Sequence, residues 1–337
     1  MKQYIKNNVL KVSSGVANAI FVTIGIGFLF GTLGDMFNLP ILVTIGSFTR
    51  VLLAPALGAG IAFNMQANSL TLFSAMAAST IGGGALTATD AGFTIVGGDP
   101  IGALIAGVIA TWIGKKLTGT SPLDMMSIPT LSLLGGGIAG IGLAQVIQPI
   151  LLAVSETVSG AVAGSPVIGS SVMAVLFGLF LMSPLSSAAL SIALALSPMA
   201  SGAMLIGTTA QYFVFSILSM KENNLGGYIA QGLCTPKVQL PNIIKNPKIL
   251  IGPTIASAIC GPIATVLFGF ETIPEMGGVG FAAGVAPLWV INNSGLQVFG
   301  VYLLCGAILP IVITLFVNKL LYSASAIKVG DMALEVS

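Results

Sequence analysis

From Val12 to Leu33 the chain bears no charge and is mostly apolar, and runs of this kind recur almost to its end. About 20 such residues cross the hydrocarbon core of a bilayer as a helix, and a helix satisfies its own backbone hydrogen bonds there. Lys and Arg number 12 and Asp and Glu 10 in 337 residues, so charged residues make up 7% of the sequence. Soluble domains carry roughly 25%, and so few charges do not cover a soluble globule. Soluble, disordered and nucleic-acid-binding classes are therefore excluded. A membrane β-barrel would alternate over segments of about ten residues, whereas these runs are longer and continuous. The chain reads as an all-α integral membrane protein of the cell membrane, passing through it several times.

The chain contains no histidine. That removes histidine as a phosphoryl acceptor, proton shuttle or metal ligand. Cys234, Cys260 and Cys305 are too far apart in sequence for a zinc pattern and suggest no disulfide framework. No metal, cofactor or catalytic residue is expected. The net charge of +2 comes without a polybasic block, so no nucleic-acid partner is implied.

Lys2, Lys6 and Lys11 precede the first apolar run, which is long enough to span and is not followed by a signal-cleavage pattern. The positive-inside rule then places the N-terminus in the cytoplasm. Successive spans are expected at about 13–33, 41–63, 69–87, 100–114, 128–154, 166–183, 185–199, 203–219, 249–269 and 298–318. Asp35, Asp90, Asp99, Glu156, Glu271 and Glu275 fall on the outer side of this scheme, with Asp99-Pro100 reading as a helix start. The stretch 279–291 is short, contains Pro287 and ends in Asn292-Asn293-Ser294-Gly295. Were it a full crossing, Lys319 and Lys328 would lie outside. Read as a re-entrant hairpin at 277–297, it leaves every lysine and both termini in the cytoplasm. The stretch 225–247, broken by Pro236, Pro241 and Pro247, reads as a second re-entrant hairpin or as an amphipathic segment on the membrane surface. The fold class is thus about ten transmembrane helices with two re-entrant hairpins. The paired glycines, among them Gly82-Gly83-Gly84, Gly135-Gly136-Gly137 and Gly277-Gly278, mark close helix packing or broken helices. Paired broken segments at membrane depth are a feature of secondary-transporter binding sites.

A neutral polar solute needs a few convergent amides, hydroxyls and carboxylates. The first hairpin offers Gln231, Thr235, Lys237, Gln239 and Asn242, and the second Asn292, Asn293, Ser294 and Gln297. Gln211 lies within a span, and Ser183, Ser186 and Ser187 flank the break at Pro184. For the hairpin amides the plain alternative is backbone capping. For Gln211 it is an interhelical hydrogen bond. Arg50, the only arginine, is expected inside the membrane, where an unpaired charge is costly. It reads as a gating or anion site, or as the partner of a structural carboxylate.

Residues 183–270, with SMKENNLGGYIAQGL at 219–233 and PNIIKNP at 241–247, resemble the membrane IIC-like family of the sugar phosphotransferase system. More specifically they look like its stand-alone branch, which includes a toxin-regulator membrane protein. The stretches Gly97–Pro129 and GVGFAAGVAP at 278–287 also resemble that family, and the likeness runs from about residue 15 to 320. The resemblance implies the fold of the glucose-superfamily EIIC proteins: ten spans, two re-entrant hairpins and a homodimer formed through the first half. It implies a dimerising scaffold over 1–160, a mobile substrate domain over 161–322 with hairpins near 225–247 and 277–297, and a cytoplasmic tail over 323–337. The expected function is transport of a sugar or sugar-like polar solute by movement of the second half. The chain itself is then no enzyme, and a separate cytoplasmic IIB-like protein would supply any phosphoryl transfer. Sugar-transporting members typically use a histidine and a glutamate near the sugar. Here histidine is absent and Glu275 is the candidate glutamate, although its local motif does not match. A membrane sensor that keeps the cavity without transport, and a carrier of a non-sugar solute, remain as alternatives.

Overall fold

The computed structural model describes residues 2–89, 92–183 and 185–334, so Asp90 and Pro184 lie outside the described residues. The chain divides into two compact units, Met1–Val154 and Ser155–Ser337.

In the first unit α1 (Lys2–Ile20) continues through a π turn at Phe21–Gly25 into α2 (Ile26–Met36). Helices α3 (Pro40–Val51) and α4 (Leu53–Asn64) follow, bent by 61° at Leu52. Then come α5 (Ser69–Gly82), α6 (Pro100–Leu117) and the first part of α7 (Asp124–Gly164). Asn68 caps α5 by accepting the Thr71 N–H at 2.9 Å, and Asp99 caps α6 by accepting the Gly102 N–H at 2.6 Å. Between those helices stand two short strands, β1 (Leu86–Thr89) and β2 (Gly92–Ile95), paired antiparallel with Leu86 opposite Ile95. This hairpin is an addition to the all-helical expectation, which placed a loop here.

Small residues set the packing of this unit. A Cβ on Gly82 would lie 2.5 Å from the Ala106 methyl, and one on Gly136 would lie 2.7 Å from that of Ala110. Ala62, Ala75, Ala78, Ala106 and Ala110 form the buried centre between them. In lipid there is no hydrophobic drive between helices, so close backbone approach and hydrogen bonds hold them. Ser79 adds one such bond, donating to the Ala103 carbonyl at 2.8 Å.

The second unit continues α7 and adds α8 (Pro166–Met182), α9 (Ser187–Leu194) and α10 (Pro198–Leu218). An irregular segment follows, with α11 (Leu225–Ile229), a π turn at Ala230–Cys234, a 3-10 turn at Pro236–Gln239 and α12 (Leu240–Lys245). The chain then forms α13 (Ile251–Pro262), α14 (Pro274–Gly277), α15 (Val285–Leu303) and α16 (Leu309–Ser323). Helix α10 is the axis of this unit, and its residues from Ala200 to Tyr212 are all buried. Gly207 lets α10 lie directly on α8 at Ala174. Pro262 lacks the N–H that would bond the Ala258 carbonyl. Ser171 of α8 donates to that carbonyl instead, at 2.6 Å.

By length and composition six helical runs among the described residues reach spanning size: Lys11–Met36, Pro100–Leu117, Asp124–Gly164, Pro198–Leu218, Pro247–Leu267 and Ala282–Ser323. The bent pair of α3 and α4 makes a seventh. The expected spans at 69–87, 166–183 and 185–199 fall on α5, α8 and α9, which have 14, 17 and 8 residues. The expected span at 128–154 lies within α7, which continues past Glu156 for 41 residues in all, until Gly164-Ser165-Pro166. One glutamate does not stop a helix, whereas a glycine followed two residues later by proline does. Near the expected second hairpin, Ala283 and Gly284 are left-handed (φ 47° and 74°), and Gly295 breaks α15 with φ 85° and ψ 172°.

Candidate functional site

Three of the predicted amides meet in one buried chain. Gln231 and Gln239 are fully buried and Asn242 nearly so. Asn242 Nδ2 donates to Gln239 Oε1 at 2.8 Å, and Gln239 Nε2 donates to Gln231 Oε1 at 2.8 Å. Gln231 Nε2 in turn donates to Ser219 Oγ at 2.9 Å and to the Gly227 carbonyl at 3.0 Å. The proline-broken segment can bury these groups because each finds a partner.

The other partners come from the end of the chain. Gln239 donates to the Met332 carbonyl at 2.9 Å and Asn242 to the Ala333 carbonyl at 2.9 Å. The Glu222 carboxylate accepts the Met332 N–H at 2.9 Å, Asn223 Oδ1 accepts the Leu334 N–H at 2.7 Å, and Asn246 Nδ2 donates to Asp331 at 2.7 Å. Ile327 and Met332 insert into a core with Met182, Phe215, Ile243 and Ile249. Residues 324–334 therefore form a packed strap on this unit.

Thr235 and Lys237 sit beside this cluster. Thr235 Oγ1 accepts the Lys237 N–H at 3.2 Å, and Lys237 Nζ donates to the Leu185 carbonyl, before α9. Burial pushes the Lys237 ammonium down to about 8.

A second constellation surrounds the loop between α13 and α15. Ser187 Oγ donates to the Gly278 carbonyl at 2.7 Å, Thr208 Oγ1 to the Gly277 carbonyl at 3.3 Å, and Ser191 Oγ to the Pro274 carbonyl. These hydroxyls from α9 and α10 hold two carbonyls of the short helix α14 and that of Gly278, the residue after it. A Cβ on Gly278 would lie 2.5 Å from the Ser187 carbonyl carbon, so only glycine admits this approach. Glu275 is half-buried in the first turn of α14, and the buried Thr272 hydroxyl has no partner among the described residues. Ser191 and Thr208 were not singled out in the sequence. Their signal was present as hydroxyls on two helices preceding a Gly-Gly pair.

The remaining candidates of this unit have no hydrogen bond to either group among the described residues. Gln211 Nε2 reaches Ser257 Oγ at 3.4 Å while its buried Oε1 has no partner among the described residues. Asn292, Asn293 and Ser294 are exposed, and Asn293 Nδ2 donates to the Trp289 carbonyl at 2.9 Å.

A family model described as "Phosphotransferase system, EIIC" matches residues 10–334. The chain belongs to the phosphotransferase system EIIC family. A search of curated proteins finds no match. EIIC domains are the membrane transport components of that system and do not themselves transfer phosphoryl groups. This EIIC chain is accordingly a multi-pass membrane component with a polar solute as substrate. Its first unit holds the remaining candidate. Arg50 lies in the last turn of α3, with its guanidinium carbon 4.5 Å from the Phe28 ring centroid. Its Nη2 reaches Ser47 Oγ at 3.4 Å, and its buried Nε has no partner among the described residues of this EIIC chain. No group of three or more His, Cys, Asp or Glu that could hold a metal ion occurs among the described residues.

Proposed function

We propose that this EIIC chain binds a sugar or sugar-like polar solute and carries it across the cell membrane. Residues 1–160 serve as a dimerising scaffold and 161–322 as the moving substrate domain, with both termini in the cytoplasm. The observation that supports this reading is the bed of glycine-rich backbone at 277–284. Non-helical backbone is tolerated at membrane depth only where protein buries it or it lines a cavity. Here the Ser187 and Thr208 hydroxyls hold its first two carbonyls, Ser191 holds that of Pro274 just before it, and Glu275 and the buried Thr272 hydroxyl, without a partner among the described residues, precede it in the chain. Glu275, Thr272, Gln211, Asn292, Asn293 and Ser294 are the proposed solute contacts. In this reading Gln231, Gln239 and Asn242 hold the framework, since their amide hydrogens are engaged with one another, with Ser219 and Gly227, and with the strap.

The test is thermal stabilisation of the purified protein against neutral sugars, polyols and small anions. A ligand at a hundred times its dissociation constant adds about 2.7 kcal/mol. A neutral sugar or polyol is expected to raise the melting point, and Glu275→Gln to weaken that response at least tenfold. A response to anions alone would overturn the sugar reading, and one lost in Arg50→Gln would bring Arg50 forward. Solute binding without uptake in proteoliposomes containing the IIB-like partner would replace transport by sensing.

A further inference from the structure

Lys237 stands out among the lysines of the second unit. Lys221, Lys245, Lys248, Lys319 and Lys328 are exposed, whereas Lys237 is half-buried. Among the described residues its ammonium has one hydrogen-bond partner, the Leu185 carbonyl, and no carboxylate. Glu222 and Asp331, the acids of the strap region, accept bonds from Met332 N–H and from Asn246. The ammonium therefore keeps two N–H donors and an uncancelled positive charge.

The polar groups flanking it are donors as well. Ser186 adjoins the carbonyl that Lys237 binds and is 8% exposed. Its Oγ accepts the Ala189 N–H at 3.2 Å, which leaves its own O–H to donate. Thr235 Oγ1 likewise accepts the Lys237 N–H and keeps its O–H. A half-buried ammonium with two flanking hydroxyls and no acid is matched by an anion with several acceptor oxygens.

We propose that Lys237, with Ser186 and Thr235, forms an anion subsite for a phosphate monoester, the phosphorylated form of the carried solute, on the cytoplasmic side of the second unit. The proposal rests on the reading of this chain as a carrier whose solute is phosphorylated by a separate IIB-like protein. Three acceptor oxygens on the phosphate meet the two free ammonium N–H groups and the two hydroxyls. The neutral solute lacks that charge, so this subsite separates product from substrate.

The test uses the full chain in detergent, with inorganic phosphate as the probe and chloride at equal ionic strength as the control. Phosphate is expected to raise the melting point in a saturable way. Lys237→Gln is expected to weaken the response at least tenfold, while Lys237→Arg and Lys248→Gln retain it. Glucose 6-phosphate should compete with phosphate, and glucose should not. Absence of a phosphate-specific shift, or an unchanged response in Lys237→Gln, overturns the proposal. If Lys237→Gln does not fold, loss of the response in Ser186→Ala with Thr235→Val takes its place, and its retention is equally fatal. Competition by phosphatidic acid in nanodiscs but not by glucose 6-phosphate would assign the ammonium to lipid and overturn the solute assignment. The neutral-solute panel described above is read separately. Its failure alongside a Lys237-dependent phosphate response removes the sugar reading and leaves the anion subsite standing.

Discussion

Gly207→Ala tests whether close contact between α8 and α10 holds the second unit together. The added Cβ would lie 2.5 Å from the carbonyl carbon and 2.6 Å from the Cα of Ala174, where ordinary contact begins at 3.4 Å. The obstacle is helix backbone, which does not rotate aside like a side chain, so the helices must separate by several tenths of an ångström or more. A radial gap of about 0.5–1 Å forfeits a quarter to a half of each van der Waals contact across the seam. Overpacking of this kind costs about 1–3 kcal/mol, and a backbone obstacle belongs at the upper end. Alanine returns about 0.5–1 kcal/mol through helix propensity. The net expectation is a loss of about 2 kcal/mol. The assay is unfolding of the purified protein in mixed micelles by a denaturing detergent, followed by circular dichroism. Gly160→Ala in α7 is the control, since its Cβ would meet nothing within 4 Å and only the propensity gain remains. Equal stability of Gly207→Ala and the parent protein would refute the argument. An equal loss in Gly160→Ala would do so as well, because it would place the effect outside the seam.

Ser171→Ala leaves the Ala258 carbonyl, already freed by Pro262, without its donor, and should cost about 1–2 kcal/mol in the same unfolding assay. Gln239→Leu removes a donor from both Gln231 and the Met332 carbonyl. It should lower stability by about 1–3 kcal/mol and make residues 324–334 accessible to protease, and an intact strap after digestion would count against it. The Lys237 ammonium titrates near 8 in the folded chain instead of 10.5. Between those values the unfolded chain binds more protons than the folded one, so stability should rise with pH across that window, by roughly 2–3 kcal/mol in all. Lys237→Met should remove this rise from pH-dependent melting curves, and an unchanged slope would show that other groups produce it.

Membrane insertion and helical class were legible because they depend on local quantities, the near absence of charge and the length of each apolar run. The helix start at Asp99-Pro100 was legible for the same reason, since the cap and the proline act on neighbouring residues. The continuity of α7 past Glu156 was not, because a lone charge is a weak signal for a helix end and the true breakers lie at 164–166. The β1–β2 hairpin was also hidden, since two four-residue strands leave little periodicity between apolar helices.

The polar candidates divide in the same way. Gln231, Gln239 and Asn242 could be picked out by composition alone, as amides in a proline-broken segment among apolar spans. Their partners could not, because Met332 and Ala333 lie about ninety residues further along and contribute backbone carbonyls, which leave no trace in residue type. Ser187, Ser191 and Thr208 likewise act on carbonyls of Gly278, Pro274 and Gly277, 69–91 residues away. The sequence by itself determined the solvent of this protein, its helical class and, through motif, its family. Only the tertiary structure decided which buried polar groups answer one another. Apolar burial depends on how much surface each stretch offers and can be read along the chain. A hydrogen bond depends on two atoms meeting in space, and it is settled when the helices pack.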